Sequence, residues 1–357
     1  MALFRKSLAG CHIWRILRVA LTTLFFVATT GWSAEPPKPL LVYCIDVEGG
    51  QATLFITPNG ESLLVDTGWD GFDGRDANRI VAAAKDAGLK KIDYVLITHY
   101  HSDHVGGVTQ LAARFPIGAF IDHGENSDPK DQPTVTGWKA YQKLLTEKNY
   151  KRISVKPGDT LPLRAAQFTI VNGGGKVLDH PLSHAGSQNP NCKPTQLPPA
   201  DLSENEFSLG FVAALGEFRL VDLGDLPWAQ ELELMCPTNK LGHADVYIAT
   251  HHGLFFSGSP ALVHGIAPRV AVVENGAKKG GSASALDIIH SAPGTSATYQ
   301  LHWSEDGGSA HNSNPSYLAN LQGPDGGNYL KIIARQNGSF SVFNSRTGKT
   351  HSYSPHL

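Results

Sequence analysis

Residues 98–107 read T-H-Y-H-S-D-H-V-G-G. His99, His101, Asp103 and His104 fall within six positions, directly after the apolar stretch Ile92–Thr98. A run of that kind fits a strand buried on both faces of a parallel sheet. Imidazole nitrogens and carboxylate oxygens are good ligands for zinc and similar divalent ions. Four of them in one tight turn can serve two metals, provided that later segments supply the remaining ligands. Gly106 and Gly107 allow the chain to turn closely into the next helix.

Two later segments offer those ligands. Leu220-Val221-Asp222-Leu223-Gly224-Asp225 is an apolar strand running into Gly-Asp, and Asp225 is placed to bridge two cations, one with each oxygen. The structural alternative is a helix N-cap before Pro227. Ala249-Thr250-His251-His252-Gly253 again sets histidine at the end of an apolar strand. One of His251 and His252 is expected to ligate, and the adjacent Gly253 favours His252. Lys278 and Lys279, in N-G-A-K-K-G-G, read either as a solvated basic turn or as contacts for an anionic substrate.

Around these motifs the first half alternates strands and helices. Strands are expected at Leu40–Val47, Ala52–Thr57, Ser62–Asp66 and Ile92–Thr98. A helix is expected at Asn78–Ala87, closed by Gly88 as a C-cap, and another around Trp138–Glu147. Residues 172–205 are rich in Gly, Pro, Ser and Asn and read as a long loop. Further strands are expected at Phe207–Ala214, Phe218–Leu223, Ala244–Thr250 and Val270–Glu274. A hairpin over Asn328–Phe343 turns at Asn337-Gly338. The recurring alternation predicts two similar layered halves.

In this order L-L-V-D-T-G, T-H-Y-H-S-D-H-V-G-G, G-D and H-H-G resemble the metallo-β-lactamase fold superfamily. The finer resemblance is to the hydrolase-like domain of the ComEC/Rec2 competence proteins. It is carried by Asp46-Val47-Glu48-Gly49-Gly50, Asn205-Glu206-Phe207-Ser208, and Ser257-Gly258-Ser259-Pro260 with Pro268-Arg269-Val270-Ala271-Val272. The resemblance covers about residues 40–280 and implies a single-domain α/β fold, an αββα sandwich with metals at one edge. Residues 281–357 would then add C-terminal strands and loops.

It further implies that His99 and His101 bind one zinc, that Asp103, His104 and a histidine of H-H-G bind a second, and that Asp225 bridges. Asp103 and Asp225 become the catalytic carboxylates, and Asp66 a buried group that holds the metal-binding turn by hydrogen bonds. The third histidine that many members supply to the first metal has no clear counterpart; Asn205, His180 and His184 are the candidates. The implied activity is hydrolysis by metal-bound hydroxide, on a phosphodiester or on a β-lactam or lactone, with one or two zinc ions, or manganese or iron in their place. A non-catalytic metal-binding domain is the alternative. The segment E-G-G-Q stands where competence proteins have G-Q-G-D.

The remaining composition sets limits. The chain has 357 residues, 41% hydrophobic and 17% charged, enough to bury a large core and unlike a disordered chain. Residues 1–34 hold four basic residues and no acid, with an apolar run over Val19–Gly31. This pattern predicts a secretory signal, a mature chain over 35–357, and a secreted or periplasmic location with no membrane span after removal; an uncleaved N-terminal anchor is the alternative. Without that segment the net charge is -6, which argues against an extended nucleic-acid-binding face. A small-molecule or phosphodiester substrate is the expected partner. Of the three later cysteines, Cys44 reads as a buried hydrophobe, while Cys192 and Cys236 lie in Pro-rich loops where a disulfide is one of two open outcomes.

Overall fold

The computed structural model describes residues 37–193, 198 and 201–355; the expected signal over residues 1–34 lies outside them. Residues 37–357 form one unit. In chain order its strands are β1 (Leu40–Cys44), β2 (Thr53–Ile56), β3 (Ser62–Val65), β4 (Ile92–Leu96), β5 (Ile117–Asp122), β6 (Lys151–Ser154), β7 (Gln167–Gly173), β8 (Lys176–Val177) and β9 (Gly210–Leu215). They continue as β10 (Phe218–Asp222), β11 (Val246–Ile248), β12 (Val270–Val273), β13 (Ala297–His302), β14 (Leu318–Asn320), β15 (Leu330–Ala334), β16 (Phe340–Asn344) and β17 (Lys349–Tyr353).

One sheet has the order β17-β16-β15-β1-β2-β3-β4-β5-β6, the other β14-β13-β12-β11-β10-β9-β7-β8. Within each, a parallel block (β3 to β6, and β10 to β14) adjoins antiparallel strands. Both blocks have a β-strand, helix, β-strand rhythm, matching the two layered halves expected from the alternation. The helices cover the outer faces.

The periodicity of the side chains explains the layering. Phe55, Leu63 and Leu96 from the first sheet meet Phe168, Phe211 and Leu220 from the second in a core between the sheets. Their sequence neighbours point the other way: Leu54, Leu64 and Val95 pack under helix Arg75–Asp86 through Ile80 and Ala84. Val221, Tyr247 and Ala271 do the same under helices Pro260–Ile266 and Ala283–His290 through Leu262, Ile266, Leu286 and Ile289. This is the αββα sandwich.

Two expectations need correction. The sandwich does not end near residue 280: β13 pairs with β12, and β15 pairs with β1, so residues 297–353 complete both sheets. Ile332, Phe340 and Val342 are fully or almost fully buried in the central core. The stretch 172–205 is not wholly loop, because β7 runs to Gly173 and turns back into β8. Backbone bonds of Leu182, Gly186 and Asn189 to Lys240, Asn239 and Pro237 then tie the next part down. Of the two outcomes left open for Cys192 and Cys236, the structure has them joined in a disulfide, and Cys44 is a free, buried thiol as expected.

Between the sheets lies a buried polar network. Asp222 accepts from Gln51 at 2.8 Å, and Glu274 accepts from Thr53 at 2.8 and 2.9 Å. Burial pushes Asp222 up to about 8, with the charge of Glu274 adding to it, and pushes Glu274 up to about 7. Acids held protonated in the folded state but ionised when unfolded lose stability as pH rises from the unfolded value, about 4, through the folded one. The unfolding free energy is therefore expected to fall between about pH 4 and about pH 8, and Asp222→Asn to flatten the slope. Urea unfolding at stepped pH checks this; an unchanged slope in the variant would assign the effect to other groups.

Candidate metal centre

The strands of the two parallel blocks end at one edge, and each end delivers a functional segment, as is usual for open α/β sheets. β4 runs into His99–His104, β10 into Asp225, β11 into His251-His252 and β12 into Glu274 and then Lys279. Gly107 is needed because a Cβ there would overlap the Thr67 carbonyl. Its N–H donates to the Gly68 carbonyl at 3.0 Å, drawing the histidine turn against the 66–68 loop. His251 and His252 both adopt left-handed backbone, with φ of 53° and 56°. That conformation is costly for a non-glycine residue, and here it accompanies two consecutive imidazoles that both face Asp225.

Asp103, His104, Asp225 and His252 bring one ligand atom each to within 4.8 Å of one another. His104 Nε2 is 3.2 Å from both Asp103 Oδ2 and Asp225 Oδ2. His252 Nε2 is 3.3 Å from Asp103 Oδ2 and 3.5 Å from Asp225 Oδ1. The other ring nitrogens are committed outward. His104 Nδ1 lies 2.7 Å from Asp66 Oδ2, and His252 Nδ1 lies 3.2 Å from the Glu274 carbonyl. Both of those partners only accept, so each Nδ1 carries a proton and each Nε2 turns its lone pair inward. Two extra protons or one divalent ion satisfy such a set; the donors fit a metal. Burial raises and the surrounding histidines lower the pKa of Asp225, with the histidines prevailing, so its carboxylate stays ionised well below the usual range.

Asp66 is buried beside the histidine turn. Besides His104, it accepts from the Thr98 N–H at 2.8 Å and the Thr98 hydroxyl at 2.6 Å. Thr98 Oγ1, 3.0 Å from His99 Nδ1, in turn receives that ring's proton. One buried carboxylate thus orients two rings. Asp66→Ala is expected to weaken metal affinity about 10–100-fold, checked by competition with a chelating dye; an unchanged affinity would make Asp66 a purely structural group.

His99 and His101 stand beside this set, with His99 Nε2 2.9 Å from His101 Nδ1 and 3.8 Å from Asp225 Oδ2. Burial, with His104 and His101 adding to it, keeps His99 neutral. His251 also reaches the centre: Nε2 is 3.3 Å from Asp225 Oδ2 and Nδ1 3.3 Å from the Ser257 hydroxyl. Burial holds its pKa down to about 4. The sequence left one of the two histidines as ligand; both face Asp225.

Of the three candidates for the third ligand of the first metal, His180 and His184 are exposed, and neither joins the cluster. His184 lines a different cleft with Ala165, Val212 and Arg219. The chain carrying them is pinned to residues 237–240, which directs it away from the strand ends. Asn205 is buried, donates to Asp201 at 2.7 Å, and leaves its Oδ1 without a partner. Ser208 of the same segment touches His99 Nδ1 at 3.3 Å and receives the Asp225 N–H at 3.2 Å.

The two lysines separate. Lys278 is exposed, whereas the Lys279 ammonium rests on Asp103 Oδ2 and 5.1 Å from the centre of the Trp69 ring. Trp69 was missed in the sequence, although it follows D-T-G directly. Trp69 also borders a cleft of about 730 Å³ formed with Phe72, Ser102, Val105 and Pro133. A second group, Asp46, Glu48, His302 and Asp325, also gathers within 4.8 Å. There Arg79 pairs with both Asp46 and Asp325, and His302 lies 2.6 Å from Asp46 and 3.7 Å from Glu48.

Residues 46–188 match the sequence profile of the metallo-β-lactamase superfamily. A hydroxyacylglutathione hydrolase of Stenotrophomonas maltophilia (strain R551-3) is 43% identical over 63 residues, 18% of this chain and 21% of that one. ComE operon protein 3 of Bacillus subtilis (strain 168) is 27% identical over 192 residues, 53% of this chain and 20% of that one. The chain thus spans about a fifth of the length of these relatives. The crystal structure of the metallo-β-lactamase fold protein YhfI from Bacillus subtilis superposes with a TM-score of 0.45 at 14% identity, covering 73% of this chain and 96% of that one.

Proposed function

The chain carries a metallo-β-lactamase superfamily domain, and from that premise we propose that it is a metal-dependent hydrolase of small anionic esters, a phosphodiester first. The observation that carries this reading is the closed set Asp103, His104, Asp225 and His252, whose outer ring protons are spent on Asp66 and the Glu274 carbonyl. A divalent ion held there supplies Lewis acidity and makes water a nucleophile near neutral pH. Zinc is the expected ion for imidazole and carboxylate donors, and manganese or iron fits the same donors.

The chain's own groups do the rest. Asp225 Oδ2, facing His104 and His251, accepts a hydrogen bond from the attacking water and orients it. The Lys279 ammonium donates to an anionic oxygen of the substrate as negative charge builds. The cleft of Trp69, Phe72, Val105 and Pro133 receives an apolar portion and keeps water from it. One lysine and an apolar flank suit a small molecule better than a nucleic-acid strand. Arg269, just before β12, belongs to the opposite edge and adds no charge here. The apolar flank also favours the second reading, a lactone or β-lactam hydrolase.

The test is turnover of bis-p-nitrophenyl phosphate with added zinc or manganese, beside Asp103→Ala. Metal-dependent hydrolysis lost in the variant supports a phosphodiesterase. No turnover with metal bound overturns that substrate and passes the question to lactones and β-lactams; failure there leaves a metal-binding domain without turnover. Export is part of the proposal. The basic, apolar segment 1–34 and the Cys192–Cys236 disulfide support it. Fractionation of cells expressing the full chain, with the protein found in the cytoplasm only, would overturn it.

A further inference from the structure

The two halves of the centre differ in what they demand of a cation. Around His104 and His252 every inward atom is an acceptor once the Nδ1 protons are assigned, so positive charge is obligatory. The His99–His101 pair makes no such demand. The Thr98 hydroxyl is committed as a donor to Asp66, so it takes the His99 Nδ1 proton, and the bare His99 Nε2 can accept from His101 Nδ1–H at 2.9 Å. That pair closes on itself as one neutral hydrogen bond. No third nitrogen is brought to it by His180 or His184.

Charge points the same way. Three carboxylates, Asp66, Asp103 and Asp225, are buried at the centre. The Lys279 ammonium already pairs with Asp103. The ammonium thus occupies the Asp103 oxygen that also faces His104 and His252, where a second ion would have to compete with it.

The lysine is held there by construction rather than by the drift of a long side chain. The Gly276 N–H donates to the Lys279 carbonyl at 2.8 Å, and the Gly281 N–H donates to the His252 carbonyl at 2.8 Å. Gly280 and Gly281 have φ of 81° and 63°, and a Cβ on Gly280 would overlap the His252 carbonyl. Only glycine lets this loop press onto the histidine turn. Trp69 then covers the ammonium from the other side.

We infer that the centre works with one tightly bound divalent ion, held by Asp103, His104, Asp225 and His252, and that the Lys279 ammonium takes the charge role of a second ion. This rests on the hydrolase reading for its catalytic meaning but not for its test. Metal content after exhaustive exchange against zinc and gel filtration is the readout. The wild-type protein and His101→Ala are expected to retain about one equivalent, and His252→Ala almost none. Lys279→Met is expected to take up a second equivalent, and Lys279→Arg, which keeps the charge, to stay at one.

Two equivalents on the wild-type protein, with one lost in His101→Ala, would overturn the inference while leaving the hydrolase reading standing. A count of one on Lys279→Met would overturn the lysine's part. Circular dichroism of each variant separates a lost site from a lost fold. No substrate enters the measurement, so failure to find turnover leaves the count to stand or fall alone.

Discussion

Asp225→Ala is expected to strip the protein of tightly bound metal and to lower hydrolysis by about three orders of magnitude or more. Asp225 faces four imidazoles: His104 at 3.2 Å, His251 at 3.3 Å, His252 at 3.5 Å and His99 at 3.8 Å. Removing it leaves inward-facing nitrogens with only Asp103 for charge. The fold is expected to tolerate the change, because the Asp225 side chain packs against the centre rather than the core between the sheets. Metal content and turnover should therefore fall together while the far-ultraviolet circular dichroism is kept. Full metal content with lost turnover would instead make Asp225 a water-orienting group outside the ligand set. Full turnover would remove it from the mechanism.

The second large effect concerns the scaffold. Phe211→Ala is expected to destabilise the protein by roughly 3–5 kcal/mol. Phe211 is fully buried, lies edge-on to Phe55 at 5.6 Å and is 5.5 Å from Phe168, so it joins the two sheets at their centre. It also pairs in register with Asp222 at the end of β10, three residues before Asp225. A cavity there is expected to loosen the centre too, so metal affinity should fall along with the unfolding midpoint in urea. A loss below about 1 kcal/mol would mean that the sheets close over the gap, as cores that collapse well can do.

The sequence by itself determined the candidate ligand set and most of the frame around it. T-H-Y-H-S-D-H at the end of an apolar run, G-D at the end of another and H-H-G at the end of a third are local patterns. Each sets ligand atoms at a strand end, and a parallel sheet puts such ends at one edge. The apolar periodicity of β1 to β4 and of helix Arg75–Asp86 was legible for the same reason: burial on one or both faces leaves a mark within a few residues.

What the tertiary structure decided were pairings between distant segments. It brought both His251 and His252 to Asp225, because consecutive left-handed residues redirect a turn in a way that residue types do not announce. It sent His180 and His184 outward, since the loop that bears them is fastened to residues 237–240. It split Lys278 from Lys279, which are equivalent in the sequence, exposing the first and turning the second onto Asp103, because Gly280 and Gly281 seat the loop on His252. It also drew the C-terminal strands into both sheets, where β15 lies against β1 at a separation of about 290 residues. Local patterns fix which atoms can ligate; only the packing of the two sheets against each other fixes which of them meet.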